Sequence, residues 1–566
     1  MGYDVVVRGG TIVDGSGGPS YIADVGIQGG KIVSIGKITD ARAQNIDADG
    51  MVVCPGFIDV HTHLDCQLFW EPLGSSSCWQ GVTTAVMGNC GFTLAPAREN
   101  EKDFALGSFE RAEDIPLATM HAGIPWSWET FPEYFDTIEA RPKGINYASY
   151  VGHCAIRTYV MGKRAFTETA TDDDLTAMCR VLEDSIRAGA WGFSTTRSVN
   201  HRMMNDDPVP SRLADWSEVR ALVGRMGELG TGVFSMTPEW YDSDPERTMR
   251  WFDSLKVLAL ESGRPFTMAC GQREPLGWSY FAKFFEEVAQ AGGRVYGQVG
   301  TRLQVIVLGF KLALPFDRLP GWKAFRSQPL EEQRSVLTDP AHRERLVLEA
   351  LNGEYKLTVL AEPQPPEYEH ILIVDSPEGP WRSVAEVAVE RGTTPVDVMI
   401  DLSLESNFEQ LFAHAFANRD REQSRQMLSH PLTLVGDADS GAHASQICDA
   451  SFYISLLTRW ARDDQVFTLE QAIRNCTWDP ARWWGFTDRG LVREGLAADL
   501  LVIDLDSLSP GDWKVDYGLP AGAKRIMQKA SGIRTTIVNG EIFLNDGEHT
   551  GAFPGKLLRG RLAAAP

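Results

Sequence analysis

Two kinds of hydrophobic pattern divide this 566-residue chain, and their order limits the fold more than any single motif does. From about residue 55 to 484, short apolar runs of strand length alternate with amphipathic stretches of helix length. MVVCPGFIDVHTH, GVTTAVMGNC, YASYVGHCAIR, GAWGFSTTR, TGVFSMTPE, RPFTMACGQ, GRVYGQV and LTLVGDADSG are eight strand candidates in order. TDDDLTAMCRVLEDSIRAGA and WSEVRALVGRMGELG carry the helical period between them. This alternation predicts an α/β chain built as a (β/α)8, TIM-like barrel. The region is longer than the ~250 residues of a plain barrel, so it must hold an insertion. The Pro-rich stretch around 310–380, with AEPQPPEYEH and SPEGPW, is the expected place, as a lid over the barrel mouth.

The two ends of the chain have a different character. DVVVRGGTIVDG and ADVGIQGGKIVSIG read as β-branched runs broken by tight turns, and GIRTTIVNGEIFLNDGE reads as strand, Asn-Gly turn, strand. Residues 1–54 and 485–566 are therefore expected to build one small β-sandwich domain together, beside a catalytic barrel of residues 55–484. The opening MGYDVVVRGGTIVDG has no basic region followed by an apolar run, so it reads as a strand and turn rather than a secretory leader. No stretch reaches the ~18 uninterrupted apolar residues of a membrane span. With 54 basic against 76 acidic residues, a net charge of -22 repels phosphate backbones. Neither nucleic acid nor membrane is expected as a partner. The nine cysteines are odd in number, scattered, and free of any C-x-x-C, which points to a reducing, cytoplasmic setting and away from a disulfide framework.

In a barrel of this kind the working residues sit at the C-terminal ends of the strands. The first strand ends in His61-Thr62-His63. Residues i and i+2 of an extended segment point the same way, so two imidazoles share one face, as metal chelation requires. The second ends in Gly88-Asn89-Cys90-Gly91, where a thiolate would be a soft zinc ligand or the thiol a small buried filler. The eighth ends in Val435-Gly436-Asp437-Ala438-Asp439, and the two carboxylates share strand parity, leaving the choice between them open. His153 follows the third strand. Arg197, His201 and Arg202 follow the fourth. The two histidines are either substrate-orienting or structural. The two arginines are candidate bidentate clamps for a substrate carboxylate.

PGFIDVHTH, GVTTAVMGNCGFTLAP, GHCAIR, AGAWGFST, SVAEVAVERGTTPVDVMIDL and GLVREGLAADLLVID resemble the amidohydrolase superfamily, and within it the N-acyl-D-amino-acid deacylases (D-aminoacylases). The resemblance covers essentially the whole chain. It implies His61, His63, Cys90 and Asp439 as metal ligands, with Asp439, in DSGAH, also the general base and acid. It implies a divalent metal, zinc at one ion per chain or another divalent ion in its place. The implied activity is hydrolysis of a C–N amide bond, deacylating an N-acyl amino acid of D configuration. One departure stands out: no histidine lies between His201 and His342, so the ligands such relatives carry on strands five and six are missing. Cys270 and Glu239 are the nearby groups that could bind metal instead. Strand four, GAWGFSTTR, has no lysine to carboxylate, which argues against binuclear hydantoinase-like chemistry. Hydrolysis of a cyclic amide, an ester or a specialised metabolite on the same scaffold is the alternative, and a non-catalytic relative the third reading. The expected partner is a small molecule bearing a carboxylate, and a homo-oligomer stays open.

Overall fold

A computed structural model describes residues 2–39, 43–239, 244–272, 277–356, 358–359 and 362–562. It begins with five short strands, β1 (Val5–Ile12), β2 (Tyr21–Gln28), β3 (Lys31–Gly36), β4 (Gln44–Asp47) and β5 (Val52–Pro55). β1 forks. Its first half, Val5–Arg8, pairs in parallel with β4, and Thr11–Ile12 pairs in parallel with β5. The pairing of β1 with β2 slips at the same place, between Val7 and Gly10. The approach there is tight, since a Cβ on Gly10 would stand 2.4 Å from Val53 Cγ2.

One residue then separates two architectures. The expected single strand MVVCPGFIDVHTH is in fact two, β5 and β6 (Phe57–Asp59), on either side of Gly56. A Cβ at Gly56 would lie 2.2 Å from Thr83, so the chain crosses from one sheet to the other only because that residue has no side chain. There follow β7 (Val82–Met87), β8 (Asn146–Ser149), β9 (Val151–Gly152), β10 (Gly192–Thr196), β11 (Val233–Thr237), β12 (Pro265–Cys270) and β13 (Arg294–Val299). After a long excursion holding β14 (Gln304–Leu308), β15 (Ile371–Ile373) and β16 (Phe412–Ala417) comes β17 (Thr433–Val435).

β6, β7 and β8 pair in parallel, as do β9, β10, β11, β12, β13 and β17 in that order. β8 and β9 are one strand interrupted at Tyr150, whose N–H reaches Met87 O at 3.0 Å. A parallel bridge between Thr62 and Ser440 connects the end of the series to its beginning. The strands are buried on both faces, β7 along its whole length, as parallel strands covered by helices must be. The helix Asp172–Ala188 shows how the cover is specified. Thr171 and Asp174 form a capping box, three aspartates occupy the first turn, Met178, Leu182 and Ile186 face inward, and Gly189 ends it in the left-handed region. The third expected strand is shorter than its motif, because GHCAIR turns into a helix at His153.

The excursion between β13 and β17 occupies about 300–432, wider than the expected 310–380. β14, β16 and β15 make a small antiparallel sheet with a core of its own around Phe310, Trp322, Phe325, Ile371 and Phe412. The helices Val384–Arg391 and Pro395–Glu405 belong to that core. Their apolar period is the same as that of helices packed on the parallel strands, so pattern alone assigned them to the barrel.

The chain returns to the first sheet through β18 (Leu500–Ile503), which pairs antiparallel with β5. β19 (Trp513–Asp516) and β20 (Arg525–Gln528) form a separate hairpin, and β21 (Ile533–Val538), β22 (Glu541–Asn545) and β23 (Glu548–His549) complete the edge. Nine strands from both ends of the chain are thus one sheet, in the order β23-β22-β21-β18-β5-β1-β2-β3 with β4 on β1. Asp499 fastens that sheet to the parallel strands. Its carboxylate accepts from Asn539 N at 2.6 Å, from Asn146 Nδ2 of β8 at 3.1 Å, and from the buried guanidinium of Arg489. No described helix is long and apolar enough to cross a membrane.

Asp499→Ala leaves the buried Arg489 guanidinium with only the exposed Asp488 carboxylate at 3.1 Å, so the cost is expected to be at most the roughly 3–5 kcal/mol of breaking a buried ion pair. A urea unfolding midpoint unchanged from wild type would show that this ion pair does not hold the two sheets together.

Candidate active site

The C-terminal ends of the parallel strands open into a cavity of about 160 Å³. His61, His63, Cys90, Asp437, Asp439 and His443 line it, together with the apolar Pro238, Ala269, Phe281, Val359 and Phe416. The strand-one histidines flank Thr62, whose N–H is held by Val86 O at 3.1 Å, while His63 N donates to Ser440 O at 2.8 Å. Both rings therefore turn inward, with centroids 5.6 Å apart. His61 Nδ1 lies 2.6 Å from Gln298 Oε1, and Gln298 Nε2 donates onward to Thr267 Oγ1 at 2.9 Å. The amide oxygen can only accept, so His61 carries its proton on Nδ1 and presents the Nε2 lone pair to the cavity.

Cys90 sits on a turn that is fixed from three strands. Asn89 Nδ2 donates to Thr62 O and Val86 O, Ser235 Oγ donates to Asn89 Oδ1, and Ser194 Oγ accepts from Gly91 N at 3.0 Å while donating to Gly88 O. This places Cys90 Sγ 3.4 Å from His61 Nε2. Asp439 Oδ1 lies 3.2 Å from His61 Nε2 and 3.6 Å from His63 Nε2. Asp437 Oδ1 stands 3.7 Å from His61 Nδ1 and its Oδ2 accepts from Gln304 Nε2 at 3.1 Å. One donor atom each of His61, His63 and Cys90 lie within 4.8 Å of one another, and so do those of His61, Asp437 and Asp439.

Packing so many ionisable groups together away from water has a common result. Burial lifts the Asp437 carboxyl to about 8, with the charge of Asp439 adding to it. Burial lifts Asp439 to about 8 as well, helped by Asp449 and Asp59. Burial, followed by His61 and His443, holds His63 well below the usual histidine range, and burial pushes His201 down to about 3. Burial raises the Cys90 thiol, with Glu113 and Asp439 next in effect. Without a cation Asp437 and Asp439 are pressed to take up protons, and His63 and His201 to stay neutral.

A family comparison matches residues 44–543 to the amidohydrolase family. The chain belongs to that family. This amidohydrolase, a hydrolase acting on carbon–nitrogen bonds, is similar to the D-aminoacylase of Alcaligenes xylosoxydans xylosoxydans, 26% identical over 98% of this chain and 97% of that protein. It is similar also to the N-acyl-D-glutamate deacylase of the same organism, 28% identical over 100% of this chain and 98% of that one. Its fold matches the solved N-acyl-D-glutamate deacylase of Bordetella bronchiseptica complexed with zinc and a phosphonate inhibitor. That match has a TM-score of 0.66 at 23% identity, covering 99% of this chain and 100% of the other. The chain is a divergent member of the D-aminoacylase group.

The structure brings His61, His63, Cys90 and Asp439 of the amidohydrolase together and adds His201, whose Nδ1 is 2.8 Å from Thr196 Oγ1. It does not bring three other expected residues to the cavity. His153 is wholly buried beside it, with Nε2 2.8 Å from Glu218 Oε1 and Nδ1 2.7 Å from Thr195 Oγ1. Glu218, held ionised against the burial penalty by His153 and Arg157, accepts from the ring and stands in an ion pair 3.2 Å from Arg157 Nε, so both ring nitrogens are spent on structure. Arg197 donates to Glu239 Oε2 at 2.9 Å and to Ala214 O at 2.6 Å. Arg202 donates to Val199 O and Asp206 O within its own loop. Arg197 thus bonds across to the segment after β11, and Arg202 within its own loop. Cys270 has its thiol on Met268 O, and Glu239 is taken by Arg197, so neither replaces the missing histidines. β11 and β12 instead offer Thr237, Pro238, Ala269 and Gly271 to the cavity. Sequence reasoning missed Gln298, Gln304 and Glu113, none of which sits in a motif.

The fold of this region predicts a separation of effects for His153→Ala. The variant melts at lower temperature than wild type, and its KM for any substrate stays within about twofold, since a group that makes no substrate contact removes no ground-state binding. A several-fold rise in KM with unchanged melting would return His153 to the substrate.

Proposed function

We propose that this amidohydrolase is a metal-dependent deacylase that cleaves the amide bond of an N-acyl amino acid, of D configuration. The observation that carries the reading is that His61 Nε2 approaches both Cys90 Sγ and Asp439 Oδ1 while His63 Nε2 approaches Asp439 Oδ1, so that His61 stands in two donor triads, one with His63 and Cys90 and one with Asp437 and Asp439. These three separations, 3.2, 3.4 and 3.6 Å, are close to the ~3.3–3.8 Å between neighbouring ligands of a zinc ion. The chemistry of the set fits as well. Neutral imidazoles are the ligand form of histidine, and both ring nitrogens of buried His63 lack a hydrogen-bond partner. When bound, a divalent ion such as zinc supplies Lewis acidity that brings the pKa of water from near 16 towards ~7.

The remaining steps belong to the chain. Asp439, aimed between two imidazoles, accepts the proton of the attacking water and passes it to the departing amine. Gln298 keeps His61 in the tautomer that faces inward. The apolar lining of Pro238, Ala269, Phe281, Val359 and Phe416 excludes water and suits an acyl group. The closing segment is latched, since Glu362 accepts from Arg111 at 2.9 Å and pairs with Arg318 at 2.7 Å, seating Val359 over the cavity. The same reading divides the chain into a (β/α)8 barrel over 55–484 with its insertion, and a β-sandwich domain of residues 1–54 and 485–566. Because Arg197 and Arg202 are committed elsewhere, a substrate without a carboxylate, such as a cyclic amide or an ester, is the second reading.

The purified protein is expected to hold about one zinc per chain and to hydrolyse N-acyl-D-amino acids. Asp439→Ala is expected to lose about 10²–10⁴-fold in kcat with its circular dichroism unchanged, the usual scale for removing a general acid–base group. Near-normal turnover in that variant would end this mechanism, and zinc without activity on any N-acyl amino acid would favour the second reading.

A further inference from the structure

Glu113 is a cavity-lining carboxylate to which the chemistry above gives no task. It follows the helix Lys102–Ala112, and its backbone N–H closes that helix on Phe109 O at 2.9 Å. The next residue, Asp114, has a left-handed backbone at φ 52° and accepts from Ser445 N at 2.8 Å and Ser445 Oγ at 2.7 Å. Glu113 is thereby fixed against the loop that follows β17. Its side chain is 1% exposed, and neither oxygen takes part in a hydrogen bond. Oε1 stands 3.7 Å from His63 Nδ1 and Oε2 stands 3.8 Å from His443 Nε2. His443 Nε2 in turn lies 3.8 Å from Asp439 Oδ2.

We propose that Glu113 is the positioning carboxylate of this centre, orienting His63 and, through His443, Asp439. The assignment rests on the metal-binding reading given above. His63 turns Nε2 towards Asp439 Oδ1 and Nδ1 towards Glu113. A carboxylate on the Nδ1 side favours the tautomer with the proton there and leaves the Nε2 lone pair for a cation. The gaps of 3.7 and 3.8 Å exceed an N–H···O bond of ~2.9 Å by under 1 Å, a distance that small ring rotations close. His443 links the same carboxylate to the second oxygen of Asp439, so one acid steadies two first-rank groups. Glu113 itself touches no reacting atom.

A carboxylate that is buried without hydrogen bonds weakens the cation-free protein, and this gives the role a signature that a packing role lacks. Zinc affinity is measured by competition with a chromophoric chelator for wild type, Glu113→Ala and Glu113→Gln, together with the melting temperature of each in the cation-free state. The zinc Kd is expected to rise about 10–100-fold in Glu113→Ala and by less in Glu113→Gln, as is usual when the partner of a metal-bound histidine is removed. The cation-free melting temperatures are expected to equal or exceed that of wild type, and the cobalt-substituted variants to show a shifted visible absorption. Affinities of both variants within about threefold of wild type overturn the assignment, being below the smallest effect of such a partner. A lowered affinity that only follows a lowered cation-free melting temperature also overturns it. Wild-type protein that takes up no zinc overturns the metal reading and this assignment together, and so is told apart from failure of the assignment alone.

Discussion

The contact between the backbone at Thr62–His63 and that at Ser440 decides which side chains can meet in this protein. It joins the first parallel strand to the last, across some 380 residues of chain, through the Thr62–Ser440 bridge and the 2.8 Å bond from His63 N to Ser440 O. Histidines spaced i, i+2 would chelate weakly on their own, and a carboxylate on a distant loop would not find them. Once the strands are locked in this register, Asp439 lies against both rings with no adjustment left to make. The rest of the architecture serves that register. Gly56 lets the chain pass from the terminal sheet into the first parallel strand, and Asp499 and Asn146 hold the sheet to β8 nearby. A one-residue slip would turn both imidazoles away from the cavity.

The backbone pays for this arrangement in strain. Cys90 at φ 54°, Asp437 at 63°, Asp439 at 47° and His443 at 46° all occupy the left-handed region, and all line the cavity. Aspartate and histidine tolerate that region better than most residues, but cysteine has no such excuse. Each such residue costs of order 1–3 kcal/mol and persists only where its surroundings over-determine it. Around Cys90 they do, through Ser194, Ser235 and the two donors of Asn89. The turn thus points the thiol at His61 when a relaxed loop would bury it as a filler.

The order of the parallel strands was legible because apolar runs of strand length separated by amphipathic helices have few other solutions. His61, His63, Cys90 and Asp439 could be singled out because each falls at or just beyond the end of such a run, and the folded chain places all four at the cavity. Glu113 could not, since it ends an ordinary amphipathic helix and its relation to His443 spans a separation that only the folded chain closes. Arg197 and Arg202 show the opposite failure. They follow strand four as expected, but Arg197 is bonded to Glu239 beyond the next strand and Arg202 to carbonyls of its own loop, a competition that sequence does not display. The extent of the excursion between β13 and β17 was misjudged for a similar reason, because an amphipathic helix carries no mark of which core it packs on.

The loss of histidines from strands five and six shapes the lining of the cavity, and this has consequences. His61, His63, Cys90, Asp437, Asp439 and His443 come from the first, second and eighth parallel strands and the loops beyond them, and His201 from the loop after the fourth. The apolar part of the lining, Pro238, Ala269, Phe281, Val359 and Phe416, comes from the ends of β11 and β12, the helix after β12, and the excursion. His61 is common to both donor triads, with His63 and Cys90 and with Asp437 and Asp439, so a cation in either one engages it. An amide spanning the cavity would then have its carbonyl at the polar donors and its hydrocarbon against the apolar residues. In that orientation the apolar surface fixes the substrate by burial, worth roughly 25 cal/mol per Å² removed from water, and the hydrogen-bonding groups are left free to act on the bond that breaks.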